Sequence, residues 1–138
     1  MAAKILVVDD DKEVMNLVFD LLKMMGYEVL TAADGYGAMA AIRQHKPDLL
    51  VLDYNLPAGD GGDVYRALRS LTIGADTPVI FLSAIPKYEL LQMLPDDSLV
   101  RVLEKPLNAD DMKIGLAELL GPKAISAKPP CPPVPPAA

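Results

Sequence analysis

Five short apolar segments, separated by longer stretches with helical periodicity, constrain the fold of this chain more than any other feature. In chain order they are Lys4–Val8, Tyr27–Thr31, Leu49–Leu52, Val79–Leu82 and Leu99–Leu103. Apolar runs of this length are typical of strands that are buried on both faces, as in parallel sheets. Alternation with helices predicts an α/β fold with right-handed crossovers: a flavodoxin-like, doubly wound, five-stranded parallel sheet with five helices, in three layers.

The stretches between these segments carry helix signals. In the first, apolar residues recur at helical spacing on one face: Val14, Leu17, Val18, Leu21, Leu22 and Met25. Gly26 is positioned to end this helix, and Asp11 to cap its start. The remaining helices are predicted at residues 35–45, Asp60–Leu71 with Asp60 as its cap, Lys87–Leu94, and from the cap Asn108 to Leu120.

Polar side chains follow the predicted strands at the edge where ligands bind in doubly wound folds. They are Asp9 and Asp10 after the first strand, Asp53 after the third, Ser83 after the fourth and Lys105 after the fifth. Three neighbouring carboxylates repel one another unless a cation lies between them, and Mg²⁺ suits carboxylate and phosphoryl oxygens. A lysine and a hydroxyl add donors for a dianionic group, so the set indicates phosphoryl transfer.

Four motifs at these strand ends resemble those of the response-regulator receiver family of two-component signalling. They are KILVVDDD, VLDYNLPAGDG, FLSA and EKPL, in that order and at fitting separations. The resemblance covers residues 4 to about 120, which predicts a receiver domain at residues 1–121.

The resemblance implies a metal site and a phosphoacceptor. Asp53 matches the aspartate that accepts the phosphoryl group. Asp9 and Asp10 match the acidic pair that binds Mg²⁺ (or Mn²⁺), with Asp53 and the backbone carbonyl of Asn55 as further ligands.

It also implies the groups that contact the phosphoryl oxygens. Ser83 matches the switch hydroxyl, and Lys105 the lysine that pairs with a phosphoryl oxygen. The family has a cis peptide bond at the position of Lys105–Pro106.

The chain departs from the family at Val102, where members usually carry an aromatic residue that couples the site to the output surface. Leu107 likewise replaces the usual Phe. Phosphorylation is expected to be retained, while the coupling is altered. Apolar residues crowd the fourth helix, so the face formed by the fourth helix, fifth strand and fifth helix is a possible homodimer surface.

The expected function is stoichiometric: Asp53 takes phosphoryl from a sensor histidine kinase or phosphotransfer protein, which changes affinity for a partner, and the protein is not a turnover enzyme. The main alternative is a degenerate receiver that works as an interaction module without phosphorylation. A haloacid dehalogenase-type phosphatase would need an aspartate where Asn55 stands. A flavin or nucleotide module would need a phosphate loop where three acids follow the first strand.

The net charge of −6 and the absence of a basic run argue against binding of nucleic acid or an anionic membrane by this domain. No apolar run resembles a signal peptide or a membrane span, which predicts a cytoplasmic protein. Residues 122–138 are rich in proline and predict a flexible tail or linker stub. The tail could end a stand-alone regulator or lead to a missing output domain.

Overall fold

The computed structural model describes residues 3–56 and 61–121. The strands are β1 (Lys4–Val8), β2 (Glu28–Ala32), β3 (Leu49–Leu52), β4 (Val79–Ser83) and β5 (Val100–Glu104). The helices are α1 (Lys12–Met24), α2 (Gly35–His45), α3 (Gly61–Ser70), α4 (Lys87–Met93) and α5 (Ala109–Leu120), with a 3₁₀ turn at Thr72–Gly74 after α3.

The five strands form one parallel sheet in the order β2-β1-β3-β4-β5. Helices α2, α3 and α4 pack on one face and α1 and α5 on the other, each over a core of aliphatic side chains. The predicted three-layer, flavodoxin-like fold is therefore confirmed. The chain runs from β1 outward to β2 and then crosses to β3 on the other side of β1, which places the switch in strand order between β1 and β3.

Two strands begin one residue later than predicted, and the turns before them explain why. The backbone N–H of Tyr27 donates to the Leu22 carbonyl at 3.1 Å, so Tyr27 closes the end of α1 instead of opening β2. The N–H of Leu99 donates to Asp97 Oδ1 at 2.9 Å, which closes the turn before β5. Hydrogen bonds to the preceding turn thus set both strand starts.

The caps and the inward face of α1 were mostly predicted. Asp11 accepts from the N–H groups of Glu13 and Val14, and Gly26 adopts the left-handed conformation after the helix, with φ of 96°. Leu17, however, was predicted to face the core and is 59% exposed. The buried stripe is centred on Val18 and Leu22, and Leu17 lies about 100° around the helix from Val18.

The third and fourth helices are shorter than predicted. Helix α3 stops at Ser70, and α4 stops at Met93, before Leu94 and Pro95. The proposed cap Asp60 and the proline-rich residues 122–138 lie outside the described residues. Among residues 3–56 and 61–121, no helix combines the length and apolar character needed to cross a bilayer.

Candidate functional site

Three carboxylates meet where β1 and β3 end. The N–H of Asp9 donates to the Ala32 carbonyl at 3.1 Å, and the N–H of Asp53 donates to the Val8 carbonyl at 3.0 Å, so both residues extend the sheet ladder by one step. Asp9 is 3% exposed, Asp53 is 6% exposed and Asp10 is at the surface. One carboxylate oxygen from each of the three lies within 4.8 Å of the others.

Lys105 reaches into this cluster from the end of β5. Its ammonium nitrogen is 3.0 Å from Asp9 Oδ2 and 3.2 Å from Asp53 Oδ2. Its own N–H donates to the Ser83 carbonyl at 2.8 Å, which continues the β4–β5 pairing. The Lys105–Pro106 peptide bond is cis.

Burial and mutual charge shift the pKa values of this group. The pKa of Asp53 is raised, because burial and the neighbouring Asp9 charge outweigh the contribution of Lys105. Burial alone would lower the pKa of Lys105, but its hydrogen bond to Asp9 and the Asp53 and Asp9 charges raise it. Lys105 is therefore an ammonium, and one ammonium incompletely compensates the carboxylates around it.

Backbone N–H groups also donate to two of these carboxylates. Asp9 Oδ1 accepts from the Asp11 N–H at 2.9 Å, and Asp53 Oδ1 accepts from the Asn55 N–H at 3.2 Å. Asn55 is exposed beside the cluster, and the ligand role of its carbonyl stays a prediction.

The donor set fits a hard divalent cation. Carboxylate oxygens converge from two adjacent strands, one of them in an exposed residue and two of them buried. Mg²⁺ is bound in proteins by one or two carboxylates together with water and phosphate oxygens, and Mn²⁺ accepts similar ligands. An added positive charge would also counter the burial and the Asp9 charge that together raise the pKa of Asp53.

Ser83 is fully buried at the end of β4, next to the carboxylates in the strand order. Its hydroxyl oxygen accepts from the Ile85 N–H at 3.1 Å, so it is engaged with the loop that leads to α4. The structure thus brings Asp9, Asp10, Asp53 and Lys105 together, with Ser83 one strand further along.

Val102 is 2% exposed and packs in the core under α4. The position where the resemblance expects an aromatic switch therefore holds a small buried side chain. Aromatic rings lie instead around Phe81, whose ring centroid is 6.1 Å from that of Tyr54 and 5.8 Å from that of Tyr65.

Sequence reasoning missed Gly61, at the start of α3. A Cβ atom there would lie 2.7 Å from the Tyr54 Cα atom and closer still to the Asp53 carbonyl oxygen. Only glycine lets α3 approach the Asp53 backbone this closely. The paired glycines Gly61 and Gly62 at a helix start were the available signal, because glycine is unfavourable inside a helix unless packing requires it.

Residues 5–116 match the family described as "Response regulator receiver domain". The chain is 36% identical over 117 residues to the "DNA-binding dual master transcriptional regulator RpaA" of Synechocystis, covering 85% of this chain and 48% of that protein. It is 34% identical over 128 residues to the "Alkaline phosphatase synthesis transcriptional regulatory protein PhoP" of Bacillus subtilis, covering 93% and 47%. The chain thus spans about half the length of these relatives.

Solved structures agree with the fold. The chemotaxis protein CheY4 of Vibrio cholerae superposes with a TM-score of 0.80 at 30% identity, covering 86% of this chain and 99% of that one. The receiver domain of the sensor histidine kinase PA1611 from Pseudomonas aeruginosa has a TM-score of 0.77 at 26% identity, covering 88% and 99%, and its magnesium ion is coordinated in the active-site cleft.

Proposed function

Because the chain belongs to the response regulator receiver domain family, we propose that it is a phosphoacceptor of a two-component phosphorelay. Asp53 would accept the phosphoryl group from a sensor histidine kinase or phosphotransfer protein, and the modified domain would change its affinity for a partner. The observation that carries this proposal is the contact of Lys105 with both Asp53 and Asp9, in a cluster of three carboxylates.

The proposed reaction forms one bond and breaks one. A carboxylate oxygen of Asp53 attacks the phosphorus atom of a phosphohistidine, the P–N bond breaks, and its electron pair stays on the imidazole nitrogen. The product is an acyl phosphate on Asp53. The reaction is stoichiometric, with slow loss of the phosphoryl group to water, so the domain is not a turnover enzyme.

Lys105 and Ser83 would hold the transferred group. Formation of the acyl phosphate removes the carboxylate charge of Asp53, so the Lys105 ammonium exchanges that partner for an anionic phosphoryl oxygen. The Ser83 hydroxyl would turn from the Ile85 N–H to donate to another phosphoryl oxygen.

Asp9, Asp10, Asp53 and the backbone carbonyl of Asn55 would hold Mg²⁺ (or Mn²⁺) in this site. Neutralisation of charge on the phosphoryl oxygens is the chemistry that such a cation supplies when bound.

Incubation with Mg²⁺ and acetyl phosphate, followed by intact-mass measurement, tests the proposal. We expect a single phosphoryl adduct, which is lost in Asp53→Asn. Asp11→Asn is the matched control, because Asn also caps helices and Asp11 serves α1. Absence of an adduct in the wild type would favour the degenerate, phosphorylation-independent receiver. Continuous hydrolysis of a phosphate ester would favour a phosphatase.

The downstream partner is proposed only by class. It is either a separate protein or an output domain beyond residues 1–121, joined through residues 122–138. A homodimer through α4, β5 and α5 is a further proposal, since Leu91 and Ile114 are exposed on that face. We expect the domain to act in the cytoplasm, without itself binding nucleic acid or membrane.

A further inference from the structure

Helix α4 is capped by a residue from another element. Its own N-cap is Pro86, whose side chain makes no capping hydrogen bond. The first helical N–H, that of Lys87, donates to Glu104 Oε2 at 2.6 Å. Glu104 is the last residue of β5. Because the N–H groups of a first helical turn have no partner within the helix and favour negative charge, this carboxylate stabilises the start of α4.

The same cap lies next to the switch hydroxyl. Ser83 and Glu104 are directly opposite each other in the β4–β5 register. The Ser83 hydroxyl accepts from the Ile85 N–H, two residues before the N–H that Glu104 holds. The short loop between β4 and α4 is therefore attached at both of its ends, once to Ser83 and once to Glu104.

Glu104 immediately precedes Lys105 in the chain, and Lys105 contacts the phosphoacceptor. The Lys105 ammonium lies between Asp9 and Asp53, and the Lys105 N–H donates to the Ser83 carbonyl. A shift of Lys105 or Ser83 toward a phosphoryl group would thus act on both attachments of the loop.

We propose that Glu104 is a latch that holds the start of α4 in the unphosphorylated state and releases it when Asp53 is phosphorylated. This inference rests on the proposed function. The Ser83 hydroxyl turns away from the Ile85 N–H, Lys105 turns toward the phosphoryl group, and the Lys87 N–H loses its acceptor. In this chain the latch replaces the aromatic switch that Val102 cannot provide, because an aliphatic side chain buried in the core has no ring to rotate.

A cap without a switching role would behave differently. It would protect the first turn of α4 equally in both states. The latch, in contrast, requires that protection by Glu104 be lost on phosphorylation and that its removal favour the phosphorylated state, because coupling between two sites is reciprocal.

Hydrogen exchange of the α4 first turn, residues 87–90, tests the latch with and without Mg²⁺ and beryllofluoride, a non-covalent phosphoryl analogue. In the wild type we expect the exchange rate to rise about fivefold when Mg²⁺ and beryllofluoride are added. This is the factor that corresponds to the free energy of a typical helix cap. In Glu104→Ala we expect exchange to be about fivefold faster than in the wild type without the analogue, and to change less than about twofold when the analogue is added. Beryllofluoride should bind Glu104→Ala about fivefold more tightly.

Two matched variants separate the latch from a general surface effect. Glu104→Gln keeps a hydrogen-bond acceptor and should restore part of the protection. Glu118→Ala removes an exposed carboxylate of α5 that pairs with Arg101 of β5. This variant should leave hydrogen exchange in α4 as in the wild type.

Equal responses of wild type and Glu104→Ala to beryllofluoride would overturn the latch while leaving the proposed function intact. Absence of both an acetyl phosphate adduct and beryllofluoride binding would overturn the proposed function, and with it the latch. The exchange difference without the analogue would then report only the cap.

Discussion

In two clusters of this domain a basic side chain contacts a buried or half-buried carboxylate, but the pKa of the carboxylate shifts in opposite directions in the two. In the acidic site, Lys105 lies 3.2 Å from Asp53. In the second, here called the Arg69 cluster (Arg69, Asp97 and Tyr65), Arg69 Nε lies 2.9 Å from Asp97 Oδ2. The pKa of Asp53 is raised and that of Asp97 is lowered.

The difference lies in the hydrogen bonds that each carboxylate accepts. Burial would raise the pKa of Asp97, but the Tyr65 hydroxyl at 2.6 Å, the Leu99 N–H at 2.9 Å and Arg69 together outweigh it. Asp53 accepts from Lys105 and the Asn55 N–H, and it faces a second carboxylate in Asp9. Asp97 is thus a satisfied structural anion, whereas Asp53 favours a further cation or the loss of its charge.

The Arg69 cluster also ties distant segments together. Arg69 Nη1 donates to the carbonyls of Gly74 and Thr77, and the guanidinium lies 5.1 Å from the Tyr65 ring centroid. The end of α3, the start of β4 and the turn before β5 therefore depend on one side chain. A network of this kind stabilises the fold. Its loss should lower the free energy of unfolding more than it lowers phosphorylation of Asp53.

Disruption of the Arg69 cluster should change stability the most. Asp97→Asn should lower the free energy of unfolding by about 2–3 kcal/mol, because Arg69 keeps a half-buried charge without its anion. Asp53→Asn should instead leave it unchanged or raise it by about 1 kcal/mol, because it relieves repulsion with Asp9. Urea unfolding at neutral pH measures both. Equal destabilisation by the two variants would show that the clusters do not differ in this way.

The sequence predicted the acidic site far better than the Arg69 cluster. Asp9 and Asp53 follow strands, and strands that alternate with helices run parallel, so their carboxyl ends meet at one edge of the sheet. Arg69 and Asp97 are 28 residues apart, one at a helix end and one in a turn, and no period links them. Glu104 was likewise visible only as the residue before Lys105, because its partner N–H belongs to a helix start 17 residues earlier.

Binding of Mg²⁺ at the acidic site should have a smaller effect on stability. Mg²⁺ at tenfold excess over its dissociation constant should raise the free energy of unfolding of the wild type by about 1.4 kcal/mol. Asp53→Asn and Asp10→Asn should lose most of this gain, while Asp97→Asn keeps it. Urea unfolding with Mg²⁺ or with a chelator measures the difference. A gain of the same size in all four proteins would place the bound ion elsewhere.

The smallest effect isolates one hydrogen bond of the Arg69 cluster and gives it a pH dependence. Tyr65→Phe removes the hydroxyl that donates to Asp97 but keeps the ring on Phe81, and it should cost about 1 kcal/mol at neutral pH. A carboxylate with a lowered folded-state pKa contributes stability above its unfolded value, 3.8, and loses it as the pH falls through the folded value. The cost of Tyr65→Phe should therefore shrink below about pH 4, because the hydroxyl favours ionised Asp97. Tyr88→Phe, at an exposed site, is the control with no such dependence. A cost that stayed constant from neutral pH to acid would mean that the phenol does not act through the charge of Asp97.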